Sequence, residues 1–123
     1  MATIRESLQK AMHIDGAIGV ALVNFESGVC LGTMGGGSLD MELAGAATTD
    51  VVRSKINLID QLALDDQIED ILITLGNQYH LIHSFPRHES VFSYLILNRE
   101  KATLPLARTH LRSIGRSLSL DES

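Results

Sequence analysis

The residues best suited to chemistry are the run Gly35-Gly36-Gly37, the histidines His80, His83 and His88, the cysteine Cys30, the acid pairs Asp65-Asp66 and Glu69-Asp70, and the arginines Arg108, Arg112 and Arg116. A glycine run that cradles phosphate continues into Gly-Lys-Ser/Thr, whose lysine reaches the phosphates. Here Ser38-Leu39-Asp40 follows, and the early acids Asp40 and Glu42 would repel an anion. The run is expected to be a strand-to-helix turn. His80 and His83 fall in a strand-like segment, where positions three apart point to opposite faces. They cannot chelate one metal, and nothing supplies the three or four convergent ligands that zinc takes. Cys30 has no local base to activate it and is expected to be a buried, inert thiol. Ser38, Ser54, Ser84 and Ser90 stand outside any Gly-x-Ser-x-Gly elbow. The acid pairs read as solvated residues at an element boundary. No catalytic residue, metal site or cofactor site is assigned, and the chain is not expected to be an enzyme.

The arginines recur every four residues and would form one stripe on a helix. Their plain reading is a solvated face or one paired within the chain. The sharper reading is a docking stripe for an acidic partner surface.

Composition narrows the function classes. The chain has 123 residues, enough for one domain over residues 1–123. Hydrophobic residues make up 45% and charged residues 20%, which suits a folded globular domain. Ten basic against fifteen acidic residues give a formal charge of −5, which argues against nucleic acid and anionic membranes as partners. Aromatics are 4% without a tryptophan, so stacking platforms for single strands are scarce. One cysteine rules out an internal disulfide. No leader-like segment and no membrane-length apolar run is seen, so the expected location is cytoplasmic.

The elements that must position these residues are short. Residues 3–12 read as a helix, with Thr3 and Glu6 in a capping box. Residues 16–24 read as a central strand: Ile18, Val20 and Leu22 on a bulky face, Ala17, Gly19 and Ala21 on a small face that a helix can approach closely. Residues 25–28 turn the chain into a second strand over 29–34. Ser38 is the expected cap of a long helix over 39–63. Strands are expected over 68–75, 78–85 and 91–98, then a final helix over 104–118, capped by Thr103 with Pro105 in its first turn. Hairpin-type connections with interspersed helices predict an α+β domain built on an antiparallel sheet.

The long helix carries the most information. Leu43, Ala44, Ala47, Val51, Leu58 and Leu62 fill one sector, and Val52, Ile56, Ile59 and Ala63 fill the next. Together they span about 220°, roughly twice the apolar stripe of an ordinary surface helix. One sheet cannot cover that arc, so a second partner is implied, and another chain could supply it. Lys55 falls inside the arc and needs a partner or a route to water. The segment 68–75 could lie at a sheet edge and pair with another chain.

The order and spacing resemble the Roadblock/light-chain-7 family of small dynein-light-chain-like proteins. The likeness is carried by a helix before Asp15-Gly16-Ala17-Ile18-Gly19-Val20, by the turn Val23-Asn24-Phe25-Glu26-Ser27-Gly28, and by the strands at 68–75 and 78–83. It covers residues 3–98, and the helix over 101–118 is similar to longer prokaryotic members. The resemblance implies a profilin-like fold, α-β-β-α-β-β-β-α, with a five-stranded antiparallel sheet between helices in the order 2-1-5-4-3. It implies a homodimer in which the long second helices pack together and the third strands pair. The dimer or partner interface would then use Leu43, Ala47, Val51, Lys55, Leu58 and Leu62 on the helix, and Ile68, Asp70, Leu72 and Thr74 along the strand.

The family resemblance further implies a platform that binds a small Ras-like GTPase and modulates its nucleotide state. The alternatives are a small-ligand sensor, which would need a cavity between sheet and helix, and a general protein-interaction adaptor without a GTPase partner.

Overall fold

The capping box read from Thr3 and Glu6 is formed. Glu6 N–H donates to Thr3 Oγ1 at 3.1 Å, and Thr3 N–H donates to Glu6 Oε1 at 3.0 Å. This fixes the start of α1 (Ile4–Met12). The computed structural model describes residues 1–120. After α1 come β1 (Ala17–Asn24), β2 (Val29–Gly35), α2 (Met41–Gln61), β3 (Asp70–Thr74), β4 (Gln78–Ser84), β5 (Val91–Asn98) and α3 (Leu104–Ser117).

The strands form one sheet in the order β2-β1-β5-β4-β3, and every neighbouring pair is antiparallel. The sheet carries helices on both faces, as the sequence predicted. On one face α1 and α3 meet the sheet through Leu8, Val20, Leu81, Leu95, Leu97 and Leu111. On the other face α2 meets it through Ala21, Val23, Met41, Val52, Ile82 and Phe92. β5 lies in the middle and is buried from Val91 to Leu97, which explains a run of apolar residues without alternation. The start of the chain is tied to the end of α3: Ala2 N–H donates to Ser117 O and Ser119 N–H to Ala2 O, the latter at 2.7 Å.

Three local expectations are corrected. Ile18 does not share a face with Val20 and Leu22. The pairing with β5 steps from Ala17↔Leu97 to Gly19↔Ile96, so Ile18 is an extra residue in a bulge. The bulge reverses the alternation, and Ile18 packs on the α2 face while Ala17 packs on the α1/α3 face. The cap of α2 is Asp40, not Ser38: Asp40 Oδ1 accepts from Leu43 N–H at 3.0 Å. Gly35, Gly36 and Gly37 all have positive φ, and Leu39 N–H donates to Gly36 O at 2.8 Å. That turn absorbs Ser38 and Leu39 before the helix starts. At its other end α2 gives way to Ala63, whose φ of 55° lies in the left-handed region. The third strand is shorter than 68–75: the regular pairing runs from Asp70↔His83 to Thr74↔Tyr79, and Leu75 N–H turns to Gln78 O at 2.8 Å. Before it, Ser84 N–H still donates to Glu69 O at 3.0 Å, and Ser84 Oγ donates to the carbonyls of Ile68 at 2.7 Å and Glu69 at 3.0 Å, which holds residues 68–69 to the end of β4 outside the regular ladder.

Candidate interaction surfaces

The placement of α2 follows from one small residue. A Cβ on Gly45 would lie 3.0 Å from Ala21 Cβ and 3.0 Å from Val23 Cγ2. Glycine there lets the helix settle onto the small face of β1, as the alternation of that strand predicted. Met41, Gly45, Thr49 and Val52 form the buried side. At the hairpin end, Arg53 fixes the helix by donating from Nε to Phe25 O at 2.8 Å and from Nη2 to Glu26 O.

The remainder of the apolar arc is left uncovered. Leu43 is 65% exposed, Val51 39%, Leu58 43% and Leu62 59%. With Ala47, also exposed, they form a stripe along the helix away from the sheet. Lys55 lies in this stripe and reaches solvent. One sheet thus covers only part of the arc, as its width required.

β3 is an open sheet edge, and Lys55 of the stripe lines a pocket with Ile68 and Asp70 at its start. β3 pairs with β4 alone. Leu72 is half-buried against the α1/α3-face core, Thr74 is exposed, and Ile68 stands half-buried just before the strand. Asp70 is engaged within the chain: Arg108 Nε donates to its Oδ2 at 2.9 Å and Nη2 to its Oδ1 at 3.3 Å. The arginine stripe is therefore split. Arg108 is paired internally, while Arg112 and Arg116 are exposed on α3.

The remaining chemical candidates take structural places. His80 and His83 point to opposite faces, in keeping with their spacing. Tyr94 Oη lies 2.8 Å from His80 Nδ1, and Gln78 Oε1 lies 2.9 Å from His80 Nε2. His83 is buried and faces Asp70 across the β3–β4 pair, with no partner on its Nδ1. Burial holds both imidazoles below the ordinary histidine pKa. His88 Nε2 lies 2.8 Å from Leu118 O. Cys30 is half-buried rather than buried, because β2 is an edge strand. Burial nonetheless pushes its thiol pKa up, away from a reactive thiolate. Among the described residues no three His, Cys, Asp or Glu side chains gather as a metal site. No helix among them is long and apolar enough to cross a membrane.

One feature was not legible in the sequence. α2 lies over β1 and β2. Between its C-terminal half, residues 64–69 and the β3–β4 side of the sheet runs an open groove of about 830 Å³. Val52, Ile56, Ile59, Ile71, Ile82 and Phe92 provide its apolar surface. Asp60, Asp65, Asp66, Glu69 and Glu89 stand around it. Asp65, Asp66 and Glu69, read as solvated boundary residues, thus line one groove with Glu89 from the β4–β5 loop, while Asp70 is held by Arg108.

No protein-family model and no curated protein matches the sequence. The fold, by contrast, has clear counterparts among solved structures. A Roadblock/light-chain-7 domain from Streptomyces avermitilis superposes with a TM-score of 0.80 at 7% identity, covering 94% of each chain. MglB of Myxococcus xanthus gives a TM-score of 0.72 at 14% identity, over 89% of this chain and 83% of that one. The gliding protein MglB from Thermus thermophilus gives 0.69 at 13% identity, over 91% and 87%. At such identities the likeness is one of architecture, and the architecture of this chain is the Roadblock/light-chain-7 fold.

Proposed function

We propose that the protein is a non-catalytic homodimeric regulator or scaffold that binds a small Ras-like GTPase and modulates its nucleotide state. The observation that carries the reading is the uncovered apolar stripe of α2 together with the open edge of β3. A second copy related by a twofold axis satisfies both at once. Its α2 buries Leu43, Ala47, Val51, Leu58 and Leu62, with Lys55 at the margin. Its β3 pairs with residues 70–74 through backbone groups, so Asp70 can stay with Arg108 while the strand edge is used. Ile68, Leu72 and Thr74 flank that junction.

The GTPase partner rests on the family resemblance. Such a dimer acts by surface contact, holding its partner's switch loops in one arrangement and so biasing a two-state element. Arg112 and Arg116 offer cationic contacts for an acidic patch on that partner.

The test is capture by the immobilised protein from lysate of the source organism, with GDP and with a non-hydrolysable GTP analogue. A small GTPase retained more strongly in one nucleotide state is expected. Retention of other proteins but no GTPase in either state would move the function to general scaffolding.

A further inference from the structure

We infer that Arg112 and Arg116 on α3, together with Arg87 from the β4–β5 loop, form a docking site for a short acidic peptide segment of the partner protein. The inference rests on the function proposed above for which protein carries that segment. It goes further in composing the site and in naming the form of its occupant. The structure alters the patch that the sequence suggested. Arg108 leaves it, because its guanidinium is taken by Asp70. Arg87, remote in sequence, joins it, because its Nη1 donates to Arg116 O.

Other groups already serve the end of α3. Arg87 meets Arg116 O, and His88 Nε2 lies 2.8 Å from Leu118 O, so the guanidinium groups of Arg112 and Arg116 are left over. Both side chains are exposed. Arg112 Nη2 makes one long hydrogen bond, to Thr109 Oγ1 at 3.5 Å, and the Arg108–Asp70 bridge is the one ion pair among the described residues. No acid lies close in sequence to neutralise them within the helix: the stretch from Lys101 to Leu120 holds four basic residues and no acidic one.

The site also stays clear of the proposed dimer contacts. Arg108 sits at Asp70, the first residue of β3, and Arg116 sits at the loop that follows β4. Arg112 and Arg116 lie about 6 and 12 Å beyond Arg108 along the helix. The pair therefore runs off the start of β3, on the sheet face opposite α2. A second copy seated on the α2 stripe and on residues 70–74 leaves it open.

Spacing and charge define the occupant. Two arginines about 6 Å apart along a helix match carboxylates on alternate residues of an extended segment, which recur about every 6.6 Å on one side. Each guanidinium can take a carboxylate through its planar fork. The chain as a whole has fifteen acidic against ten basic residues, which disfavours a long polyanion such as nucleic acid and leaves a short acidic segment.

The probe is a short fluorescein-labelled peptide of glutamate alternating with serine, followed by fluorescence anisotropy at low salt. A labelled oligothymidylate of equal charge is the control for unspecific attraction. The wild-type protein is compared with Arg112→Gln/Arg116→Gln and with a distal variant of equal charge change, Lys10→Gln/Lys101→Gln. All four replaced side chains are exposed, and circular dichroism checks the folds.

The glutamate–serine peptide is expected to bind wild type and the distal variant alike, and Arg112→Gln/Arg116→Gln about tenfold more weakly. Arg112→Lys/Arg116→Lys is expected to recover part of that loss, because the charge returns without the fork. Amide NMR signals of Arg87, Arg112 and Arg116 are expected to shift with peptide. No binding to wild type, equal weakening in both glutamine variants, or equally tight binding of the oligothymidylate would overturn the proposal. None of these readouts involves a GTPase. Peptide bound at the arginines with no GTPase captured from lysate would move the function to scaffolding and leave this site standing. A GTPase captured equally well by wild type and Arg112→Gln/Arg116→Gln would leave the proposed function standing and overturn this site.

Discussion

Arg108 on α3 grips Asp70, the first residue of β3, with a forked pair of hydrogen bonds at 2.9 and 3.3 Å. The two residues lie 38 positions apart in the chain. β3 has one strand neighbour, β4, and beyond the packing of Ile71 and Leu72 this fork ties it to α3. The strand on which partner pairing is proposed is therefore anchored to α3 within its own protomer.

A double-mutant cycle with Asp70→Ala and Arg108→Ala measures that attachment. Both side chains keep some solvent access, at 20% and 31% exposure. The expected coupling is about 0.5–1 kcal/mol, the upper range for a partly exposed, bidentate pair. Arg108→Lys should recover only part of it, since an ammonium cannot form the fork. Additive effects in urea denaturation would show that the bridge contributes nothing.

Neighbouring positions on α2 should respond in opposite ways to the same charge. Leu58→Glu and Val51→Glu place a carboxylate on the uncovered stripe, and each protomer should remain folded. Val52→Glu places it among Ala21, Val23 and Phe92, where Val52 is 6% exposed. Burying an unpaired carboxylate there should cost about 3 kcal/mol or more. Circular dichroism in urea separates the two classes. Unfolding by Leu58→Glu would show that the stripe belongs to the protomer core.

Gly45→Val should destabilise by about 1–3 kcal/mol, the usual penalty for overpacking. The reason is the 3.0 Å approach of a Cβ to both Ala21 and Val23. Gly45→Ala should cost less, because better helix propensity offsets part of the crowding by about 1 kcal/mol. A valine variant as stable as wild type would mean that α2 can lift from β1 freely.

These residues also show what a sequence can and cannot reveal here. The small face of β1 and the wide apolar arc of α2 are properties of local order, and both were legible. Strand order followed from the resemblance, and the antiparallel sense of the sheet from hairpin connections. The bulge at Ile18 was not legible, because it depends on how Gly19 pairs with Ile96. Asp40 displaced Ser38 as cap because three successive glycines with positive φ make a longer turn than a cap rule assumes. The Asp70–Arg108 fork and the anionic groove join residues distant in sequence. Asp65 and Asp66 look like ordinary loop acids until the fold sets Glu89 near them.

Stability should fall on mild acidification, in part through His83. Burial lowers its folded pKa below the 6.5 of the free side chain, and Arg108 and Arg112 act in the same direction while Asp70 opposes them. In the window below about 6.5 the unfolded chain binds more protons than the folded one, so folding stability is full above it and declines as pH falls. His80 contributes with the same sign, because burial lowers its pKa as well. Thermal melts at pH 7.5 and pH 5 should therefore differ less in His83→Phe than in wild type. An identical acid-induced loss in the two proteins would contradict the assignment.

The central claim is that the α2 stripe and the β3 edge are completed by a second copy of the chain. Size-exclusion chromatography with multi-angle light scattering at micromolar concentration tests it most directly. The expected wild-type mass is twice the chain mass of 13.4 kDa, with folded Leu58→Glu at 13.4 kDa. A folded wild-type protein that runs at 13.4 kDa would contradict the account.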